Sequence, residues 1–171
     1  MLLEVRACLP ADLDFINELE NWAIRETVAH FGETPIPLSE TEMAFQAARH
    51  PWLVALIDGR HAGFARSGPW KTRESYRYSA EIGIYVSPEF QGCGAGRALY
   101  TTLFPLLREA GFRTVIAGIT LPNEASVRLH ESFGMTPVGV FPKVGLKFGR
   151  WHDVGYWSMT LAPNSEDLRD N

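Results

Sequence analysis

The chain has 171 residues, of which 46% are hydrophobic and 21% charged, and a formal net charge of −4. A chain of this length buries roughly 70% of its unfolded surface, and the composition excludes a disordered chain, a fibrous repeat and a coiled coil. The weak negative charge provides no positive field for a nucleic-acid backbone, though local amides can still hold a small anion. Met1-Leu2-Leu3-Glu4-Val5-Arg6 has no basic lead-in to a long apolar run, so no secretion signal is expected. No apolar stretch approaches the ~18 residues of a membrane span. Cys8 and Cys93 make neither a disulfide framework nor a CxxC knuckle. A cytoplasmic protein is expected, with one domain over residues 1–162 and a polar tail over 163–171.

Alternating polarity before Pro10 predicts a strand over 3–7. Leu13, Ile16, Leu19 and Ala23 recur at helical spacing and predict a helix over 11–25. A turn-rich, aromatic segment, His30 to Pro37, precedes a second helix over 39–49, for which Ser39 and Glu42 suggest a capping box. The period then changes to two. Residues 52–57 read as a buried strand, Asp58-Gly59 as a hairpin turn and 61–67 as the partner strand. A longer strand is predicted over 76–86, with Gly83 as a candidate bulge. Gln91-Gly92-Cys93-Gly94-Ala95-Gly96 leads into a helix carrying Leu99, Leu103 and Leu107, which Pro105 should kink. An apolar strand over 114–120 and a helix from Asn123 to Gly134 follow. Two further strands, near Val138 and over 154–161, flank an aromatic loop at 145–151.

Three glycines at alternate positions between a strand and a helix suggest bare backbone with outward amides, and a helix N-terminus of that kind binds phosphates. The dinucleotide fingerprint fails because Arg97 stands where its third glycine belongs, and the P-loop fails for want of Gly-Lys-Ser/Thr. The Gln91-x-x-Gly94-x-Gly96 spacing is more specific. With the flanking strand and the Asn123 helix, it resembles the GNAT superfamily of N-acetyltransferases. Pro69-Trp70-Lys71-Thr72-Arg73, Ala80-Glu81, Tyr85-Val86-Ser87-Pro88, Leu121-Pro122-Asn123, Val127-Arg128-Leu129-His130-Glu131 and the run from Lys147 to Val154 resemble one branch of it, the phosphinothricin and methionine sulfoximine acetyltransferases.

That resemblance implies an α/β (mixed α+β) GNAT fold: a splayed, mostly antiparallel mixed sheet of about seven strands with about four helices, and acetyl-CoA in the split. It places the pyrophosphate after Gln91, on the amides of Gly92, Cys93, Gly94, Ala95, Gly96 and Arg97. Ile84, Tyr85 and Val86 would pair with the pantetheine, and Asn123 would bond the cofactor near its reacting end.

Amine acetylation needs a base for the ammonium and an acid for the leaving thiolate. Glu81, in an otherwise apolar strand, is the candidate base; the alternative is a solvent-facing residue on an ordinary strand. The resemblance places the family's proposed base there. His130 follows Asn123 by two helical turns, so the two share a face. It occupies the position of the superfamily's tyrosine acid, and could act as acid, act as base or simply pack. Tyr100 matches a family residue near the acetyl group, but it suits the core equally. His130-Glu131-Ser132-Phe133-Gly134 lacks the second histidine of a zinc helix, so no metal is implied.

Lys71, Arg73 and Arg77 form a basic cluster, Arg73 foremost, suited to the carboxylate or phosphinate of a small amino acid; the alternative is a solvated basic loop. Tyr76, Phe31 and Tyr85 are candidate pocket walls. By resemblance, 144–151 would contribute to a homodimer contact. The leading expectation is direct acetyl transfer in a ternary complex, with Cys93 not a nucleophile. Alternatives are acetylation of a protein N-terminus, polyamine or aminoglycoside, or a non-catalytic acyl-CoA-binding module.

Overall fold

The computed structural model describes residues 1–161. The expected tail at 163–171 lies outside the described residues. Strand β1 (Leu3–Ala7) leads through a short 3-10 turn into helices α1 (Leu13–Glu26) and α2 (Leu38–Ala47). Strands β2 (Trp52–Ile57), β3 (Arg60–Pro69) and β4 (Ser79–Val86) follow. Then come α3 (Ala95–Glu109), β5 (Thr114–Leu121), α4 (Glu124–Ser132), β6 (Thr136–Lys147) and β7 (Arg150–Thr160). Among the described residues the strands make one seven-stranded sheet in the order β1-β2-β3-β4-β5-β7-β6. Only β4 and β5 pair in parallel; the other neighbours are antiparallel.

At β2 both faces of the sheet are covered, and for that reason β2 reads as an unbroken apolar run. Leu53, Ala55 and Ile57 join a core with Leu99, Leu103 and Leu107 of α3, whereas Trp52 and Val54 meet Ile16 and Leu19 of α1 on the other face. The ladder between β4 and β5 is short. It has three rungs, Ser79↔Thr114, Ala80↔Val115 and Glu81↔Ile116, after which the two strands part. Beyond that point β4 continues on β3 alone, and β5 continues on β7 to Leu121↔Asp153.

Several expectations are corrected. Gly83 is not in a bulge of the β3–β4 ladder, which runs in register from Pro69↔Ala80 to Gly63↔Val86. The expected strand at 76–86 begins only at Ser79, because Tyr76 N–H and Arg77 N–H close local bonds to Arg73 and Glu74 carbonyls in a 3-10 turn. No capping box forms at Ser39, since α2 starts directly after Pro37, which is its N-cap without a side-chain bond. The aromatic loop expected at 145–151 is a tight hairpin end: β6 runs to Lys147 and β7 starts at Arg150. Phe148 and Gly149 turn the chain with φ of 51° and 69°, a left-handed pair that favours two-residue hairpins but is costly for phenylalanine.

One polar cluster ties β1, β3 and the start of α1 together. Asp12 is 2% exposed. Its carboxylate takes both Arg6 guanidinium nitrogens at 2.7 and 2.8 Å, His61 Nε2 at 2.8 Å and the Leu9 N–H at 2.7 Å. The Arg6 fork, against the opposing effect of burial and with help from His61 and Leu9, holds this carboxyl far below its ordinary range. A carboxyl depressed on folding stabilises above its unfolded pKa, and that contribution is lost as pH falls through the folded value. Asp12→Ala, which strands the partners, is expected to cost about 3 kcal/mol in urea unfolding. The wild-type thermal midpoint should fall below about pH 4, and less steeply in Asp12→Ala.

Candidate active site

Where β4 and β5 part, two clefts meet back to back. One of about 590 Å3 lies on the α3 and α4 side, and one of about 700 Å3 lies toward α1 and α2. Ile82, Gly83, Tyr85 and Gly118 belong to both, so the gap in the sheet is the passage between them. The β4 edge over 82–86 is paired with β3 on one side only. Its other side offers unpaired backbone donors and acceptors to an extended chain.

At the first cleft the three glycines have separate reasons. Gly92 and Gly94 sit at φ of 77° and 86°, the left-handed region that a side chain resists. Gly96 is bare for space: a Cβ there would come within 3.2 Å of Leu129 and 3.5 Å of Ile84. The first intrahelical bond of α3 runs from Ala98 N–H to Gly94 O at 3.0 Å. The amides of Ala95, Gly96 and Arg97 are thus the orphan first turn, and their dipole favours an anion. Gln91, Gly92 and Gly94 to Arg97 line this cleft, as do Ile84 and Val86. Cys93 does not line it, and its N–H is given to Phe90 O at 3.2 Å.

Asn123 and His130 face the same cleft from α4. Asn123 Oδ1 caps the helix by accepting Ser126 N–H at 3.1 Å, so its Nδ2 is what it can present to a ligand. His130 is 3% exposed. Its Nδ1 lies 2.7 Å from the Ser126 carbonyl and must donate there, which leaves Nε2 to accept the Tyr100 O–H at 2.9 Å. Burial, partly offset by the Ser126 carbonyl, lowers the imidazole pKa, so the ring is neutral with both nitrogens engaged. Burial also pushes the Tyr100 phenol far up. The polar hydrogen on this wall is therefore a Tyr100–His130 pair rather than a free imidazolium.

Glu81 lines the second cleft, half-buried. Burial raises its carboxyl pKa and Lys71 partly counters the rise. Lys71 lies over the Trp70 ring at 4.5 Å. Tyr85 walls both clefts, stacks on Phe64 at 5.3 Å and has its phenol pushed up to about 12, chiefly by burial and then by Glu20. Other expected substrate residues are not brought here. Arg73 caps the exposed 3-10 turn, Tyr76 is 41% exposed, and neither lines a cleft. Phe31 packs on Gly145, where a Cβ would collide with its ring, and lies 6.3 Å from His152.

The structure adds Arg66, which lines the Glu81 cleft and forks onto buried Glu20. A signal for this pair exists in the sequence: Glu20 interrupts the apolar stripe of α1, and Arg66 interrupts the apolar run of β3. Among the described residues no group of three His, Cys, Asp or Glu side chains could hold a metal ion, and no helix is long and apolar enough to cross a membrane.

Comparison with known proteins agrees with this architecture. Residues 16–135 match the family model described as the acetyltransferase (GNAT) family. The chain is 40% identical over 157 residues to a phosphinothricin N-acetyltransferase of Streptomyces viridochromogenes, covering 91% of this chain and 86% of that protein. It is 35% identical to an L-methionine sulfoximine/L-methionine sulfone acetyltransferase of Salmonella typhimurium, covering 93% and 95%. A GNAT superfamily phosphinothricin acetyltransferase from Sinorhizobium meliloti, solved in complex with AcCoA, superposes with a TM-score of 0.92 at 32% identity, covering 97% and 92%. A parted sheet, a glycine-built anion cradle and this degree of likeness together mean that the chain belongs to the acetyltransferase (GNAT) family.

Proposed function

We propose that this protein, as one domain over residues 1–162, is an acetyl-CoA-dependent enzyme that acetylates the amino group of a small free amino acid or close analogue, of the phosphinothricin or methionine sulfoximine type. The observation that carries this reading is the pair of clefts joined at Gly83 and Gly118, with a glycine-built anion site in one and a half-buried carboxylate in the other. The residues fit acetyl-CoA: the orphan amides of Ala95 to Arg97, with those of Gly92 and Gly94, suit a diphosphate, and the open β4 edge suits a pantetheine chain. Bound there, acetyl-CoA supplies an activated thioester beside the gap.

The chain's own groups do the rest. Glu81, with proton affinity raised by burial, accepts a proton from the acceptor ammonium across the gap. Asn123 Nδ2 and the Tyr100 hydroxyl line the other cleft; the hydroxyl donates to His130 Nε2 and would have to turn from it to give a hydrogen to a departing thiolate. Cys93 lies outside the cleft, which supports direct transfer within a ternary complex rather than a cysteine nucleophile. Two free cysteines suit a reducing, cytoplasmic setting. A second reading, a larger acceptor such as a protein N-terminus or polyamine, draws on the outward placement of Arg73, which leaves the carboxylate clamp outside the cleft.

Thiol release measured over L-amino acids, phosphinothricin, methionine sulfoximine, methionine sulfone, a peptide and a polyamine decides between these. Small amino acids should turn over fastest. Preference for the peptide or polyamine selects the second reading, and acetyl-CoA binding without thiol release selects a non-catalytic module.

Glu81→Gln is expected to lower kcat by about 10²–10⁴ and abolish an acid limb lying above the ordinary glutamate range, with acetyl-CoA affinity unchanged. Gly94→Val should do the reverse, weakening acetyl-CoA in a direct titration because valine resists φ of 86°. Full activity in Glu81→Gln removes that residue from the mechanism.

We also propose a homodimer through the β6–β7 end, where Val144, Leu146, Phe148 and Trp151 are each at least half exposed on an edge hairpin. Sedimentation should give a dimer for the wild type and a monomer for Phe148→Asp/Trp151→Asp; a monomeric wild type ends that proposal.

A further inference from the structure

Glu20 lies 1% exposed on the face of α1 that carries Ile16, Leu19 and Ala23. The Arg66 guanidinium reaches it from β3 with both terminal nitrogens, Nη1 to Oε2 at 3.1 Å and Nη2 to Oε1. His30 Nε2 approaches Oε1 at 3.3 Å. The guanidinium also sits over Trp52 at 5.0 Å and beside Phe64 at 5.8 Å. Burial by itself would raise the Glu20 carboxyl, but His30 and Arg66 outweigh it and hold it below its ordinary value.

The ladder between β3 and β4 gives this pair a meaning. Phe64 opposes Tyr85, Arg66 opposes Gly83 and Gly68 opposes Glu81. Alternate residues share a face, so Arg66 and Glu81 are diagonal neighbours with only glycines opposite them. Diagonal side chains leave the sheet about 7–8 Å apart, well within reach of an arginine. Both line the same cleft. The cation that acts on Glu81 is nonetheless Lys71, while Arg66 is committed to Glu20.

We propose that Glu20 is a positioning residue: by taking the Arg66 fork it keeps that guanidinium off the Glu81 carboxylate, which stays free to receive the acceptor's proton. The last clause rests on the reading of Glu81 as base. The groups facing Glu81 are Arg66 from β3, Lys71 from the loop after β3, Tyr85 along β4 and Tyr156 from β7, with Arg49 and His50 on the same cleft wall after α2. A guanidinium brought against a part-buried carboxylate lowers its pKa by roughly 1–3 units. Fold stability gives little reason to keep a buried pair of this kind, because well-packed apolar replacements are often as stable.

Carboxyl 13C titration of Glu81 in the full-length protein reads its midpoint without turnover. Glu20→Gln is expected to lower that midpoint by about one pH unit or more, a tenfold or greater change in proton dissociation. Arg66→Met alone should leave it at the wild-type value, and Glu20→Leu/Arg66→Met should do the same. The acid limb of kcat/KM should move with the midpoint in every variant. An unchanged midpoint in folded Glu20→Gln overturns the proposal. If that variant does not fold, the apolar double variant still decides, since a midpoint displaced from wild type there overturns it too. A midpoint that moves as expected while the acid limb stays put supports Glu20's hold on Arg66 and instead overturns Glu81 as the base.

Discussion

Among the described residues, β4 and β5 pair over only three ladder rungs at the middle of the sheet. Past Glu81 and Ile116 each strand has a full antiparallel partner on its outer side, β3 for one and β7 for the other. Neither half loses much by parting, yet the inner edge of β4 keeps a row of backbone groups without a strand beside it. Buried amides and carbonyls want partners, and an extended ligand chain is the natural one. The gap therefore does two jobs: it creates a docking edge, and it opens a passage between the faces of the sheet.

The charges around that passage are arranged asymmetrically. One side carries a neutral, mutually satisfied Tyr100–His130 pair in the deep core beneath α3 and α4. The other carries a half-buried acid, diagonal on the ladder to Arg66, whose guanidinium is committed to Glu20. A low-dielectric gap magnifies such differences, which sets a titratable carboxyl on one side against a paired, neutral phenol on the other.

Much of this was legible in the chain. The run from Trp52 to Ile57, the Asp58-Gly59 turn and the partner strand follow directly from a period of two and a left-handed turn pair. The glycine turn was legible as a unit; that Gly92 and Gly94 answer to φ while Gly96 answers to Leu129 needs coordinates. The β6–β7 end was misread because its apolar residues face outward, so alternation carried no burial signal, and because Phe148 occupies a turn conformation phenylalanine seldom adopts. Ser39 resembled a cap, but Pro37 starts the helix first. Arg73 and Tyr76 were expected at the substrate pocket, but a local 3-10 turn leaves both exposed and neither lines a cleft. Glu20 and Arg66 each broke an apolar pattern, but only the strand register shows that their pairing concerns Glu81.

The buried Lys147 ammonium, near the tip of β6, donates to the His30 carbonyl, and Gly145 makes room for the Phe31 ring. The segment leading from α1 is thus pinned by the last hairpin, well past residue 135, where the family pattern stops. The residues lining both clefts lie inside that shared stretch, whereas the brace on the segment after α1 comes from beyond it. A change in the terminal ribbon can therefore shift the segment after α1 while every cleft-lining residue keeps its identity.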